Sequence, residues 1–238
     1  MSANIESLDT LLPQLFEAER KVRKLQDDIA ASDQTKAVDA LARAADAALR
    51  EADEDEAALR LTLVAELLGE FEGPRVIDTL IDILNSALEE PRDAAGVALE
   101  GLAFDRFKEV ATGVERAVKR LPVGAPALAE LPYVFAEVPE PGVMKLLALF
   151  ASHEDPDAVA AAIEVGVEIG DPAFAKILTR LLDDTRTVEL ADEIGEGESE
   201  VTLGELASEA IELLSGDGGG DEPPPPEPAR SGKGAKKR

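Results

Sequence analysis

The stretch Asp157–Asp183, DAVAAAIEVGVEIGDPAFAKILTRLLD, decides how the whole chain is read. Val159, Ile163 and Gly166–Val167 fall at helical spacing, and Phe174, Ile177–Leu178 and Leu181–Leu182 do the same after a break. The break is Gly170-Asp171-Pro172. Gly ends a helix in the left-handed conformation, Asp caps the next one, and Pro fits its first position. The spacing therefore predicts two short helices joined by a tight turn. Such a pair cannot bury its apolar stripe alone, so the prediction extends to a stack of pairs.

The rest of the chain supplies candidates for that stack. Entries to the first helix of successive pairs fall at Pro74, near Arg106, at Pro141 and at Pro172, with separations of 32, 35 and 31 residues. A recurrence in this range marks helical repeat arrays. Helices are expected at about residues 35–51, 54–71, 74–84, 91–103 and 106–121, then from 142 to about 152. Five prolines between 121 and 141 leave room for at most a short helix, distorted at Pro132. Residues 187–190 and 200–203 are β-prone with Gly195 and Gly197 between them, which predicts a small β-hairpin or an extended loop near 187–203. Thr202 and Glu205 have capping-box spacing and open a last helix to Leu214.

The ends differ from the middle. Residues 4–31 read as one amphipathic helix, either beginning or kinking at Pro13, with Leu15, Val22 and Ile29 seven apart and Leu25 interleaved. The expected role of residues 1–31 is to cap the open end of the stack; pairing with a second copy is the alternative. Residues 35–214 are the expected array. Residues 215–238 run through Gly, Pro and then Lys/Arg and are expected to be a disordered tail. Lys233, Lys236, Lys237 and Arg238 belong to its basic end and are candidate contacts for an acidic partner, for nucleic acid or for the protein's own acidic face.

Composition narrows function. The 238 residues carry a formal net charge of −26, with aromatics at 3%. Such a surface repels phosphate backbones, which proteins bind through Lys and Arg, so nucleic acid is not an expected partner of the folded body. There is no cysteine, hence no disulfide, thiolate metal site or thiol nucleophile. No basic, apolar-cored leader opens the chain and no stretch approaches the roughly 18–20 apolar residues of a membrane helix, so a cytoplasmic location without membrane contact is expected.

Two segments resemble the HEAT-repeat family, including the HEAT-like repeats of phycobilin-lyase-type proteins: ELLGEFEGPRVIDTLIDIL (66–84) and IEVGVEIGDPAFAKILTRLLDD (163–184). The segment from LLDD to SEVTLGELASEAIELL is similar to a terminal unit with a loop inserted. The resemblance spans roughly residues 35–214. It departs from the family's Val-Arg pair in the second helix, for which Pro91-Arg92-Asp93 is a loose match. It implies an all-α solenoid of about five HEAT-like helix pairs.

Chemistry-bearing motifs are sparse. The single His153 precedes Glu154, whereas the HEAT-repeat deoxyhypusine hydroxylases use several His-Glu pairs; His153 reads as a structural or solvated residue. Carboxylate runs at 53–56, 89–90, 183–184 and 196–200 lack the ladder of an EF-hand. Phosphate loops, dinucleotide fingerprints and nucleophile elbows are absent from the sequence. No cofactor or metal is expected. The reading is a non-enzymatic scaffold whose concave second-helix face takes a protein or peptide, a basic one if charge selects it. Arg60, Glu66, Arg92, Glu100, Glu164 and Glu168 are its candidate lining residues. The alternatives are a lyase-like protein acting on a prosthetic group or modified side chain, and a component that self-associates through the N-terminal helix.

Overall fold

The computed structural model describes residues 7–191 and 198–216. Within them the chain forms α1 (Leu8–Ala30), α2 (Gln34–Ala48), α3 (Glu54–Leu68), α4 (Pro74–Leu84), α5 (Glu89–Arg120), α6 (Pro126–Glu130), α7 (Val143–Phe150), α8 (Pro156–Ile169), α9 (Pro172–Leu178), β1 (Thr187–Ala191), β2 (Glu198–Thr202) and α10 (Leu203–Leu214). Short 3-10 turns follow α6 at Tyr133–Phe135 and α9 at Thr179–Leu181.

Helix α5 is two arms in one. Arg106 has non-helical angles, φ −139° and ψ 50°. Its guanidinium donates to the Phe71 carbonyl at 3.2 Å and pairs with Glu72 at 3.5 Å, so the bend is held from outside the helix. With that bend the architecture resolves into five pairs. The first helices are α2, α4, residues 107–120 of α5, α7 and α9. The second helices are α3, residues 89–105 of α5, α6 with its 3-10 turn, α8 and α10. Each second helix packs on the next, α3 on α5, α6 on α8 and α8 on α10, and their partners form the other layer. The protein is an all-α solenoid with one small antiparallel hairpin, β1 on β2, in which Thr187 faces Thr202 and Val188 faces Val201.

One continuous apolar core runs from Ala37 in α2 to Leu214 in α10. It is built largely of Ala, Leu, Val and Ile, with Phe135, Phe150 and Phe174 fully buried. The small residues let the layers approach closely. At Gly166 of α8 a Cβ would stand 2.0 Å from the Phe174 ring, so that position accepts the aromatic side chain only because it is glycine.

The turns follow the predicted grammar in the opening stretch. Gly170 closes α8 at φ 71°, Asp171 accepts from the Ala173 amide, and Pro172 starts α9. The proline-rich segment is less irregular than its composition implies. Leu128, Leu131, Val134 and Phe135 are buried, and Phe135 meets Phe107 edge to face with centroids 6.0 Å apart. It fills the place of a second helix. The capping box at Thr202 and Glu205 is present in both directions.

The first helices are tied along their exposed side by arginine–aspartate pairs between neighbours. Arg75 of α4 meets Asp39 of α2 at 2.8 Å, and Arg116 and Arg120 of α5 meet Asp78 and Asp82 of α4 at 2.7 Å. Each is an exposed pair of about 0–1 kcal/mol. Each neutralises one arginine of this layer: Arg75, Arg116 and Arg120.

Two expectations are corrected. Helix α1 starts at Leu8, more than a turn before Pro13, and not at the proline. Nor do the described residues of 1–31 cap the stack. None of α1 is buried, and only Ile29 among its large apolar residues packs partly against the core. The stripe that was expected to lie on the open end of the array stays uncovered, and Ile29, in the last turn of α1, is its one member against the core.

Candidate functional site

The second-helix layer presents three shallow grooves that run into one another. The first, about 530 Å³, lies between α3 and residues 89–105 of α5, with Glu66 and Glu70 on one side and Val97, Gly101 and Asp105 on the other. Val97 is shared with a second groove that reaches Arg92, Glu100, Glu130 and Tyr133. Tyr133 then donates a 2.5 Å hydrogen bond to Glu164, which lines the third groove. That groove, about 380 Å³ between α8 and α10, has Ala160, Ile163, Val167 and Leu213 on its surface and Glu164 and Glu209 at its edge.

Small residues at the helix-facing positions make these channels. Ala94, Ala98 and Gly101 on α5, and Ala160 and Ala210 in the third groove, leave space that a Leu would fill. Exposed Val97, 70% accessible, and Leu213, 56% accessible, give the channels apolar patches among carboxylates.

Charge on this face is lopsided. Its two arginines are engaged with the stack itself. Arg106 serves the bend in α5 and Glu72. Arg92 donates to the Ser86 and Ala87 carbonyls and lies 3.7 Å from Glu130. Among the described residues no cation is within ion-pairing distance of Glu66, Glu70, Glu100, Glu164, Glu168 or Glu209.

Five of the six residues selected from the sequence lie on or beside this face. Glu66, Arg92, Glu100 and Glu164 line the grooves. Glu168, one turn along α8 from Glu164, is close enough to act on the Tyr133 hydroxyl through its charge. Arg60 is not brought to them; it pairs with Glu56 at 2.7 Å and Glu51 at 3.4 Å near the start of α3. Lys233, Lys236, Lys237 and Arg238 lie outside the described residues. Tyr133 was not among the selected residues. Its one sequence signal was rarity, since it is the only Tyr in a chain without Trp.

Tyr133 joins two grooves and has an altered acidity. Burial, first, and then its hydrogen bond to Glu164 hold the phenol well above its ordinary value of 10.0, with Glu164, Glu130 and Glu168 adding negative charge around it. Deprotonation would set a phenolate against a carboxylate. Tyrosinate absorbance is therefore expected to stay flat as pH rises through about 10 in the folded protein, and Glu164→Gln should shift the rise downward. A normal titration midpoint in the folded wild type would contradict the Tyr133–Glu164 contact.

His153 is part of a turn. Its Nδ1 accepts from the Asp155 amide at 3.1 Å and its carbonyl accepts from Arg186 at 2.8 Å. Arg186 also donates to Glu154 and forks onto Asp184, holding that carboxyl below its usual range. Among the described residues no group of three or more His, Asp or Glu side chains has the arrangement of a metal site, and no helix is long and apolar enough to cross a membrane.

No protein-family model and no curated protein matches the chain. Solved structures with a similar layout include a computationally designed armadillo repeat protein for modular peptide recognition, 14% identical over 84% of this chain and 94% of that one, with a TM-score of 0.33. An engineered protein is 19% identical over 84% and 91%, with a TM-score of 0.31. A second designed armadillo repeat protein is 12% identical over 80% and 98%, with a TM-score of 0.32. These scores describe a loose likeness, and the assignment of this chain as a helical repeat solenoid rests on the pairing of its own helices.

Proposed function

We propose that the protein is a non-enzymatic binding scaffold of the HEAT-like kind, and that its second-helix face takes a peptide or protein segment carrying both basic and apolar side chains. The observation that carries this reading is the charge arrangement of the grooves. Their arginines are turned into the stack while, among the described residues, Glu66, Glu100, Glu164 and Glu209 have no cationic partner and stand beside exposed Val97 and Leu213. A basic segment would neutralise carboxylates that now lie near one another, and its apolar residues would cover the channel surfaces. The grooves are shallow and open, which suits an extended or helical segment more than a small molecule.

The test is titration of the full-length chain with synthetic peptides that alternate Lys or Arg with Leu, against acidic peptides of the same length. Tyr133 fluorescence gives a readout inside the face. The basic peptides should bind, weaken as salt rises, and lose about five- to tenfold in affinity with Glu164→Gln plus Glu209→Gln. Equal binding of acidic and basic peptides, or insensitivity to the double substitution, would remove the proposed face.

A further inference from the structure

We propose that α1 is a dimerisation element that pairs antiparallel with α1 of a second copy of this chain, centred between Ala18 and Glu19. The helix carries Leu8, Leu11, Leu12, Leu15, Phe16, Val22 and Leu25, all exposed, with Leu8 at 73% and Leu15 and Leu25 at 61%. A 23-residue helix with no buried residue lacks the tertiary packing that stabilises most helices, and its stripe needs a cover.

The spacing of the stripe points to that cover. Leu8, Leu12, Leu15, Val22, Leu25 and Ile29 are separated by 4, 3, 7, 3 and 4 residues, a pattern that reads the same from either end. Two copies running in opposite directions therefore bring Leu8 against Ile29, Leu12 against Leu25 and Leu15 against Val22, with a two-fold axis through the middle. An interface of this kind is self-complementary, as a closed dimer requires.

The charges favour the same direction. Arg20, Lys21, Arg23 and Lys24 form a basic block in the centre of the helix. Parallel pairing in register would set this block against itself. Antiparallel pairing sets it against residues 13–17, which carry Glu17 and no base. Glu17 and Arg20 lie on the side of the helix away from the stripe and keep the 2.7 Å pair they make within one helix, so the preference for this direction comes from holding the two basic blocks apart. Asp9 and Asp28 are also opposite in this register, but helical geometry puts both well off the stripe.

Light scattering on the full chain tests the pairing, and the absence of native cysteine makes disulfide mapping direct. The expected mass is twice 25.1 kDa. Leu15→Glu with Leu25→Glu should weaken the dimer by at least about 100-fold without changing the helical signal of the stack, since both positions are exposed. A mixture of Leu12→Cys and Leu25→Cys chains should form the mixed disulfide. Leu12→Cys alone should not, because its two copies lie about 20 Å apart in this register. A monomer at every concentration, a dimer indifferent to the glutamates, or self-linking of Leu12→Cys would each overturn the proposal.

Discussion

Phe174→Ala is expected to destabilise the array by about 3–5 kcal/mol, the range for deleting a buried aromatic ring from a packed core. The ring is fully buried and lies in the concavity that Gly166 leaves on α8. It therefore joins the first helix of the fifth pair to the second helix of the fourth. Neither side can collapse readily onto the space left behind. Gly166 has no side chain to fill it, and the flanking turn is held by Gly170 in the left-handed region and by Asp171 and Pro172. The reciprocal change, Gly166→Ala, adds a methyl group 2.0 Å from the ring and should cost about 1–3 kcal/mol through overpacking. The two sites share one contact, so Gly166→Ala with Phe174→Leu should cost less than the sum of the single changes. Urea unfolding followed by far-UV circular dichroism measures each. In a repeat array the loss should be local, with hydrogen-exchange protection falling first in α9 and α10. A loss below about 1 kcal/mol for Phe174→Ala would show that the fifth pair is anchored elsewhere.

That contact also marks the boundary of what the sequence makes legible. Gly170-Asp171-Pro172 can be read as a turn because each residue has a local reason to be there, and the structure uses all three in those roles. The recurrence of helix entries puts one near Arg106, although no Gly or Pro marks it, and the backbone bends there. What holds the bend, the Phe71 carbonyl and Glu72, is some 35 residues away and leaves no local trace. The 121–141 segment misleads in the other direction. Its prolines signal irregular backbone, yet Leu128, Leu131 and Phe135 still fill the layer, because burial depends on where side chains end up and not on regular hydrogen bonding. For the candidate face, helix spacing puts Glu66, Glu100 and Glu164 on comparable positions. Spacing cannot say that Arg92 and Arg106 are already committed to backbone carbonyls, nor that Arg60 is held by Glu51 and Glu56. It is equally silent on α1, where an amphipathic stripe looks the same whether it covers its own stack or remains available to another helix.

Asp155→Ala is expected to cost about 2–4 kcal/mol, more than an ordinary helix cap, because this carboxylate serves two segments at once. It is 2% exposed. Its Oδ1 accepts from the amides of Asp157 and Ala158 at 3.0 and 3.1 Å, closing the start of α8. Its Oδ2 accepts from the Gly124 amide at 2.6 Å, which reaches back to the loop that follows α5. The neighbouring turn is held by Arg186 through the carbonyls of His153 and Glu154, so the third, fourth and fifth pairs meet here. Alanine leaves the Ala158 amide without its acceptor in a buried position and removes the link to Gly124. Asparagine separates the two roles. It keeps a single acceptor oxygen, so it can cap α8 or meet Gly124 but not both, and its NH2 would then face another donor. Asp155→Asn should therefore still lose about 1–2 kcal/mol in chemical denaturation. If asparagine were neutral, the Gly124 bond would contribute nothing and Asp155 would be a cap alone. If alanine and asparagine were equally damaging, the second oxygen would be the dominant partner, and the join between the third and fourth pairs would depend on it more than the helix start does.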